Sequence, residues 1–286
     1  MYESRIKFLD QSKILKVMNA LTADSASAIR LLIFLLVFSI LAFSELIWPR
    51  RHLSSFRSQR WIANIGLSIL NSLVVRLLIP IAGVGTAFWA ESNGIGLFNH
   101  LPWPLWIELI VFVLVFDLTI YWQHRVFHWI PLLWRFHRVH HTDEDYDITT
   151  GSRFHPISIL ISAVLKVVLV ILMGASAFAI LFAEVILNLT SMFNHGNIRL
   201  PRSVDKALRY AVVTPDMHRI HHSQDSSEHN QNFGFNFTFW DRLFGSYIEN
   251  SKQPQESMPI GISGYTGIQT RNLWALILQP VKQERL

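Results

Sequence analysis

Long apolar runs separated by short polar stretches dominate the chain. Residues 31–48, LLIFLLVFSILAFSELIW, carry Glu45 as their only charge and approach the roughly 20 apolar residues a membrane-spanning helix needs. A second apolar region, 61–90, is interrupted by Arg76, Pro80 and glycines and fits one tilted span or a broken hairpin; one span is preferred. The third, 103–122, opens with interfacial tryptophans in LPWPLW and ends at Tyr121-Trp122. The fourth, 157–193, has only Lys166 and Glu184 as charges, and its small-residue break Gly174-Ala175-Ser176 predicts two short helices packed as a hairpin. What remains is polar: 123–156 and 194–286 form a cap, and 2–19, with Ile6, Leu9 and Val17 between basic residues, suits an amphipathic helix lying on the surface. That stretch lacks the continuous apolar core of a signal peptide.

The pattern predicts an all-α protein, an integral membrane helical bundle with a cytoplasmic helical cap. It divides into 1–100 (surface helix and first two spans), 101–250 (third span, cap and hairpin) and a tail, 251–286. Composition agrees: 51% of the 286 residues are apolar and 16% charged, against about a quarter charged in soluble domains. The formal charge of +5 belongs at membrane edges in so apolar a chain, which sets nucleic acid aside. Arg50, Arg51, Arg57 and Arg60 place 50–60 on the cytoplasmic side by the positive-inside rule; counting crossings then puts 81–102 outside and both cap segments inside.

Cysteine is absent, which excludes disulfides, thiolate metal sites and cysteine nucleophiles and leaves metal chemistry to histidine and carboxylates. Among the 13 histidines, three clusters stand out: His124-Arg-Val-Phe-His128, His137-Arg-Val-His140-His141 and His218-Arg-Ile-His221-His222. Residues three and four apart share a helix face, so each cluster aims its imidazoles at one spot. Thr214-Pro215-Asp216 predicts the start of the helix bearing the third cluster, with cap, first-turn proline and acid in order. A lone His-x-x-x-His pair is weak evidence, but eight imidazoles on one side of the membrane exceed what one ion can ligate and predict a dimetal centre. His195, in Phe-Asn-His-Gly-Asn, is a ninth candidate. His155, in Arg-Phe-His-Pro, is divided between ligand and support, while Asp117, Tyr121, Asn194, Asn197 and Asp216 are candidates to ligate or to orient ligands. His229 reads as local structure, and His52 and His100 as bystanders at opposite membrane edges.

With these motifs in order, the sequence resembles the fatty acid hydroxylase superfamily, also called the sterol desaturase family. The resemblance rests on Asp117 through His128, His137 through His141, Arg153-Phe-His155-Pro156, Phe193-Asn-His195-Gly-Asn197, Thr214 through Ser223, Asn232-Phe-Gly234 and Trp240-Asp-Arg-Leu-Phe-Gly245, covering about 105–248. Phe233 and Ser246 stand where the family pattern has Tyr and Thr. It implies a catalytic domain over 101–250 with a histidine-rich centre of two iron ions, O2 as co-substrate and an unactivated C–H bond of a membrane lipid as target; zinc is expected to replace iron on overexpression.

The resemblance favours hydroxylation, with sterol or acyl desaturation second. A non-redox zinc protein or transporter ranks third, because the spans offer few polar groups for a translocation path. The chain shows no haem or flavin domain and no Gly-rich dinucleotide fingerprint, so electrons must come from a separate ferredoxin or cytochrome with its reductase. Arg199, Arg202, Lys206 and Arg209 offer it a basic docking stretch, equally suited to phospholipid head groups. A bacterial inner membrane, or the endoplasmic reticulum membrane of a eukaryote, is the expected location. Acyl, sterol, sphingoid, ether and amino lipids all remain open as substrate, as does the oligomeric state.

Overall fold

The computed structural model describes residues 22–53, 57–101 and 103–282; the surface helix expected over 2–19 lies outside the described residues. Among the described residues, five helices are long and apolar enough to cross a membrane: α1 (Ala23–Ile47), α2 (Arg57–Leu78), α4 (Leu105–Trp129), α6 (Pro156–Met173) and α7 (Ala177–Asn194). No strand occurs among the described residues, where pairing is limited to isolated bridges such as Pro49–Ile198. Leu32, Leu36, Phe43, Leu73 and Leu172 stay exposed on the outer faces of the long helices, as lipid contact requires.

The hairpin follows from its break. Gly174 takes the left-handed conformation at the end of α6 (φ 63°), where a Cβ would come within 2.8 Å of Asn99 Nδ2 and the Ile95 carbonyl, so only glycine fits. Two residues on, the Ser176 hydroxyl accepts from Ala179 N–H and starts α7. The core lies between α4 and α7, where small Ala179 and Ala183 let Phe112 and Phe116 close in.

The second apolar region differs from expectation. It is not one span: α2 ends at Leu78, the chain turns through Pro80 and Gly83 (φ 71°), and a short helix α3 (Val84–Ser92) packs Val84, Ala87 and Ala90 into the bundle beside α7. Pro80 lacks the N–H to continue the helix, and Gly83 supplies the backbone reversal.

The third span continues past the apolar run to Trp129 and carries the first histidine pair with it; α5 (Pro131–His141) carries the second cluster. After α7 come α8 (Arg202–Leu208) and α9 (Pro215–His221), the latter opened as expected by the Thr214 hydroxyl accepting from Met217 N–H with Pro215 in the first turn. Short helices α10 (Ser226–His229), α11 (Phe239–Leu243), α12 (Ile268–Arg271) and α13 (Leu273–Leu278) complete the cap.

The arginines read as a membrane-edge cluster are spent inside the protein. Arg50 pairs with Asp216 at 2.9 Å, Arg51 donates to the Met258 carbonyl, and Arg57 reaches Glu45 at 3.2 Å. Arg60, fully buried, holds Asp143 by two bonds of 2.6 and 2.9 Å and Asp147 by one of 2.7 Å. Asn64 bonds the same Asp143 and accepts from Arg153, whose Nε donates to the Val139 carbonyl, so α2 is clamped to the loop that follows the second histidine cluster. Arg50, Arg51 and Arg60 bind the cap to the bundle, and Arg57 ties α2 to α1.

Candidate metal centre

The nine histidines singled out from the sequence converge into two groups. His124, His128, His137, His141 and His221 form one, His140, His195, His218 and His222 the other, and within each a ring nitrogen from every member lies within 4.8 Å of the rest. Closest approaches between Nε2 atoms are 3.0 Å for His124–His221 and 3.2 Å for His128–His141, His137–His141 and His140–His195. Nitrogens bound at about 2.0–2.1 Å to one ion sit roughly 3 Å from each other, so this is a ligand spacing.

The backs of the rings show how they are aimed. Nδ1 of His124 donates to the Phe233 carbonyl (2.9 Å), that of His221 to Gln231 (2.8 Å), that of His195 to Ser191 (2.7 Å) and that of His128 to the Asn230 amide oxygen (3.3 Å). Each bond fixes the proton on Nδ1 and turns the Nε2 lone pair inward. His218 and His222, 0% and 1% exposed, have no hydrogen-bond partner on either nitrogen. Buried polar atoms seldom go unpaired, and an ion between the rings would take one nitrogen from each of these two histidines.

Burial, reinforced by neighbouring imidazoles, holds His137, His140, His141, His218, His221 and His222 well below the ordinary histidine range, and burial takes His195 down to about 3. Neutral rings keep their lone pairs for a metal.

The remaining candidates have other tasks. His155 joins neither group: it caps α6 by accepting from Ile157 N–H and its Nε2 donates to the Ile277 carbonyl, so both nitrogens are taken. Asp117 bonds no imidazole directly. It accepts from the N–H groups of Asn236 and Phe237 and from Trp240 Nε1, pinning the segment whose Phe233 carbonyl holds His124. Asp241 does the same from below, accepting from Phe233 and Gly234 N–H. Tyr121 bonds Ser246 and Arg125, Asn194 donates to the Phe235 carbonyl, Asn197 exchanges bonds with Arg51, and Asp216 is neutralised by Arg50 and Arg219. In the basic stretch, Arg209 is buried against Asp205 and the Glu249 carbonyl, which leaves Arg199, Arg202 and Lys206 at the surface.

Sequence reasoning missed three groups. His229, read as local structure, lies with its ring 4.7 Å from that of His141 and 4.9 Å from those of His128 and Trp134, and burial lowers it to about 4. Tyr146 stacks on His195 and donates to the Asn194 carbonyl. Phe154 stacks on His140 at 4.3 Å. Neither position had a spacing cue; Phe154 could have been found as the aromatic beside His155 in the Arg-Phe-His-Pro motif.

Behind His124, His137 and His140 a cavity of about 800 Å³ runs down among α1, α2, α6 and α7. Ser68, Asn71, Gln123, Ser162, Lys166 and Glu184 line it, so the spans are richer in polar groups than the sequence suggested.

The fatty acid hydroxylase family model matches residues 109–246, the segment that carries all nine clustered histidines. It is 26% identical over 240 residues to the ornithine lipid hydroxylase OlsE of Rhizobium tropici, across 81% of this chain and 70% of that protein. It is 29% identical over 163 residues to the alkylglycerol monooxygenase of Homo sapiens, covering 34% of it, and 24% identical over 156 residues to human lathosterol oxidase, covering 50%. The chain thus spans half or less of the two human relatives. Relatives named hydroxylase and monooxygenase are oxidoreductases acting on lipids. No solved structure matches the chain.

Proposed function

We propose that the protein is a membrane-embedded oxygenase that hydroxylates an unactivated C–H bond of a lipid, using O2 and two electrons from a separate protein, with two iron ions held by the nine clustered histidines. The observation that carries this reading is the meeting of buried His218 and His222 with His140 and His195, one ring nitrogen of each lying within 4.8 Å of the others. His124, His128, His137, His141 and His221 would hold one ion and His140, His195, His218 and His222 the other; zinc suits the same imidazoles. Bound iron supplies the activation of O2 for attack on carbon.

The chain's own residues do the rest. The carbonyls of Phe233, Gln231 and Ser191 set the ring orientations. The cavity behind the histidines admits a chain from the bilayer side, and Phe154, stacked on His140, lines it where substrate would approach. Arg199, Arg202 and Lys206 offer an acidic electron donor its landing surface, and the cap faces the cytoplasm of a bacterial inner membrane in this reading.

The test is incubation of the reduced, iron-loaded protein with lipid extract under 18-oxygen gas. A product gaining one labelled oxygen supports hydroxylation. An unlabelled product two hydrogens lighter would establish desaturation, the second reading, which the relationship to lathosterol oxidase keeps in view.

A further inference from the structure

The cavity behind the histidines has a charged far end. Glu184 on α7 accepts from Arg30 NH1 of α1 and from Lys166 Nζ of α6 (3.3 Å), and its side chain is 7% exposed. Arg30 and Lys166 are about one-third exposed, and both line the cavity, as do Asp24 and Arg76. Arg76 has no ion-pair partner among the described residues. Three cations therefore face two carboxylates. Glu184 takes one bond from each neighbour, and the further N–H donors of Arg30 and Lys166 are open to a ligand in the cavity.

Ionisable groups within the span are costly and persist where they face a cavity with work to do. A guanidinium beside an ammonium is a donor set suited to an anionic oxygen group over a neutral one. The position adds a length. Glu184 precedes His195 by 11 residues on α7, and Lys166 follows His155 by 11 on α6, so the charged end lies roughly 16 Å from the histidine level at about 1.5 Å per residue. Ile120, Phe127, Ile159, Ala163 and Leu187 also line the cavity.

We propose that the Arg30–Glu184–Lys166 cluster is an anchor for the carboxylate or phosphate of an acidic lipid, whose chain runs from it to the histidines. The site selects acidic lipids over neutral lipids of the same length. The direction of the chain rests on the oxygenase reading; the anion site itself does not.

The test measures equilibrium binding of hexadecanoate, hexadecyl phosphate and hexadecanol to the purified full chain in neutral detergent, with no turnover required. The wild type is expected to bind at least one of the two anions about tenfold tighter than the alcohol, and whichever binds tighter names the group. Arg30→Gln with Lys166→Gln should remove that preference and leave alcohol binding unchanged. Should the double variant fail to fold, Glu184→Gln decides: deleting the carboxylate raises the positive excess and should tighten anion binding severalfold, where a merely structural ion pair would weaken it. Equal binding of anion and alcohol by the wild type, or an unchanged ratio in the double variant, overturns the anchor. A retained anion preference in a protein that oxidises no lipid would sink the oxygenase reading alone.

Discussion

The Nε2 atoms of His140 and His195 lie 3.2 Å apart although 55 residues, including the whole α6–α7 hairpin, separate them in the chain. Two helices of 18 residues each must leave the cap and return to it for these rings to meet.

That contact makes a topological prediction. In a chain without cysteine, Ser226→Cys in the cap and Ser92→Cys at the end of α3, both exposed, give single labelling sites. An impermeant thiol reagent applied to intact cells should label Ser92→Cys and leave Ser226→Cys unlabelled until the membrane is opened. Labelling of both from outside contradicts the arrangement.

Metal content should separate ligand from cap. The purified protein is expected to carry about two ions per chain, and His218→Ala should lose about one while His155→Ala keeps both. The latter should instead lower stability by about 0.5–2 kcal/mol, the usual cost of a lost N-cap. Elemental analysis beside thermal melting reads both, and metal loss in His155→Ala would return that residue to the ligand set.

Arg60→Met should be among the most damaging substitutions outside the centre. It leaves Asp143 and Asp147 buried and short of their partner, which costs about 3–5 kcal/mol when a buried pair is broken. Burial alone would raise the Asp143 carboxyl, but Arg60, Arg153 and the hydrogen bond from Thr150 outweigh it and hold it at about 2. A depressed carboxylate contributes stability above its unfolded value near 3.9, and the contribution is lost as pH falls toward 2. Wild-type melting temperature should fall through that window, and the variant's should fall less; parallel profiles would show that the pair is not responsible.

Asp117→Ala should weaken the centre from a distance. Removing the carboxylate frees the N–H groups of Asn236 and Phe237 and loosens the segment carrying the Phe233 carbonyl, so His124 loses its aim. The expected result is a metal-absorption spectrum altered for the five-histidine group, with the ion of the four-histidine group retained. An unchanged spectrum would confine Asp117 to packing.

The sequence by itself determined the helical class, five apolar helices, the hairpin break and the convergence of nine imidazoles, because each is written in local spacing: about 20 apolar residues for a span, three and four residues for a helix face. Glycine at 174 and the Thr214-Pro215 start were legible for the same reason, as backbone demands met by one residue or its immediate neighbours. The tertiary structure alone decided what depends on partners far along the chain. Arg60 looks like a membrane-edge charge until Asp143, 83 residues away, is seen against it. His155 stays divided between ligand and support until its nitrogens are found on Ile157 and Ile277, and His229 looks incidental until its ring meets His141. The division of the imidazoles into five and four belongs there too: His137 and His140 share a helix yet serve different groups, because ring direction is set by carbonyls and packing that no spacing encodes. The charged end of the cavity exists for the same reason, since Arg30, Lys166 and Glu184 come from three helices that only the packed bundle brings together.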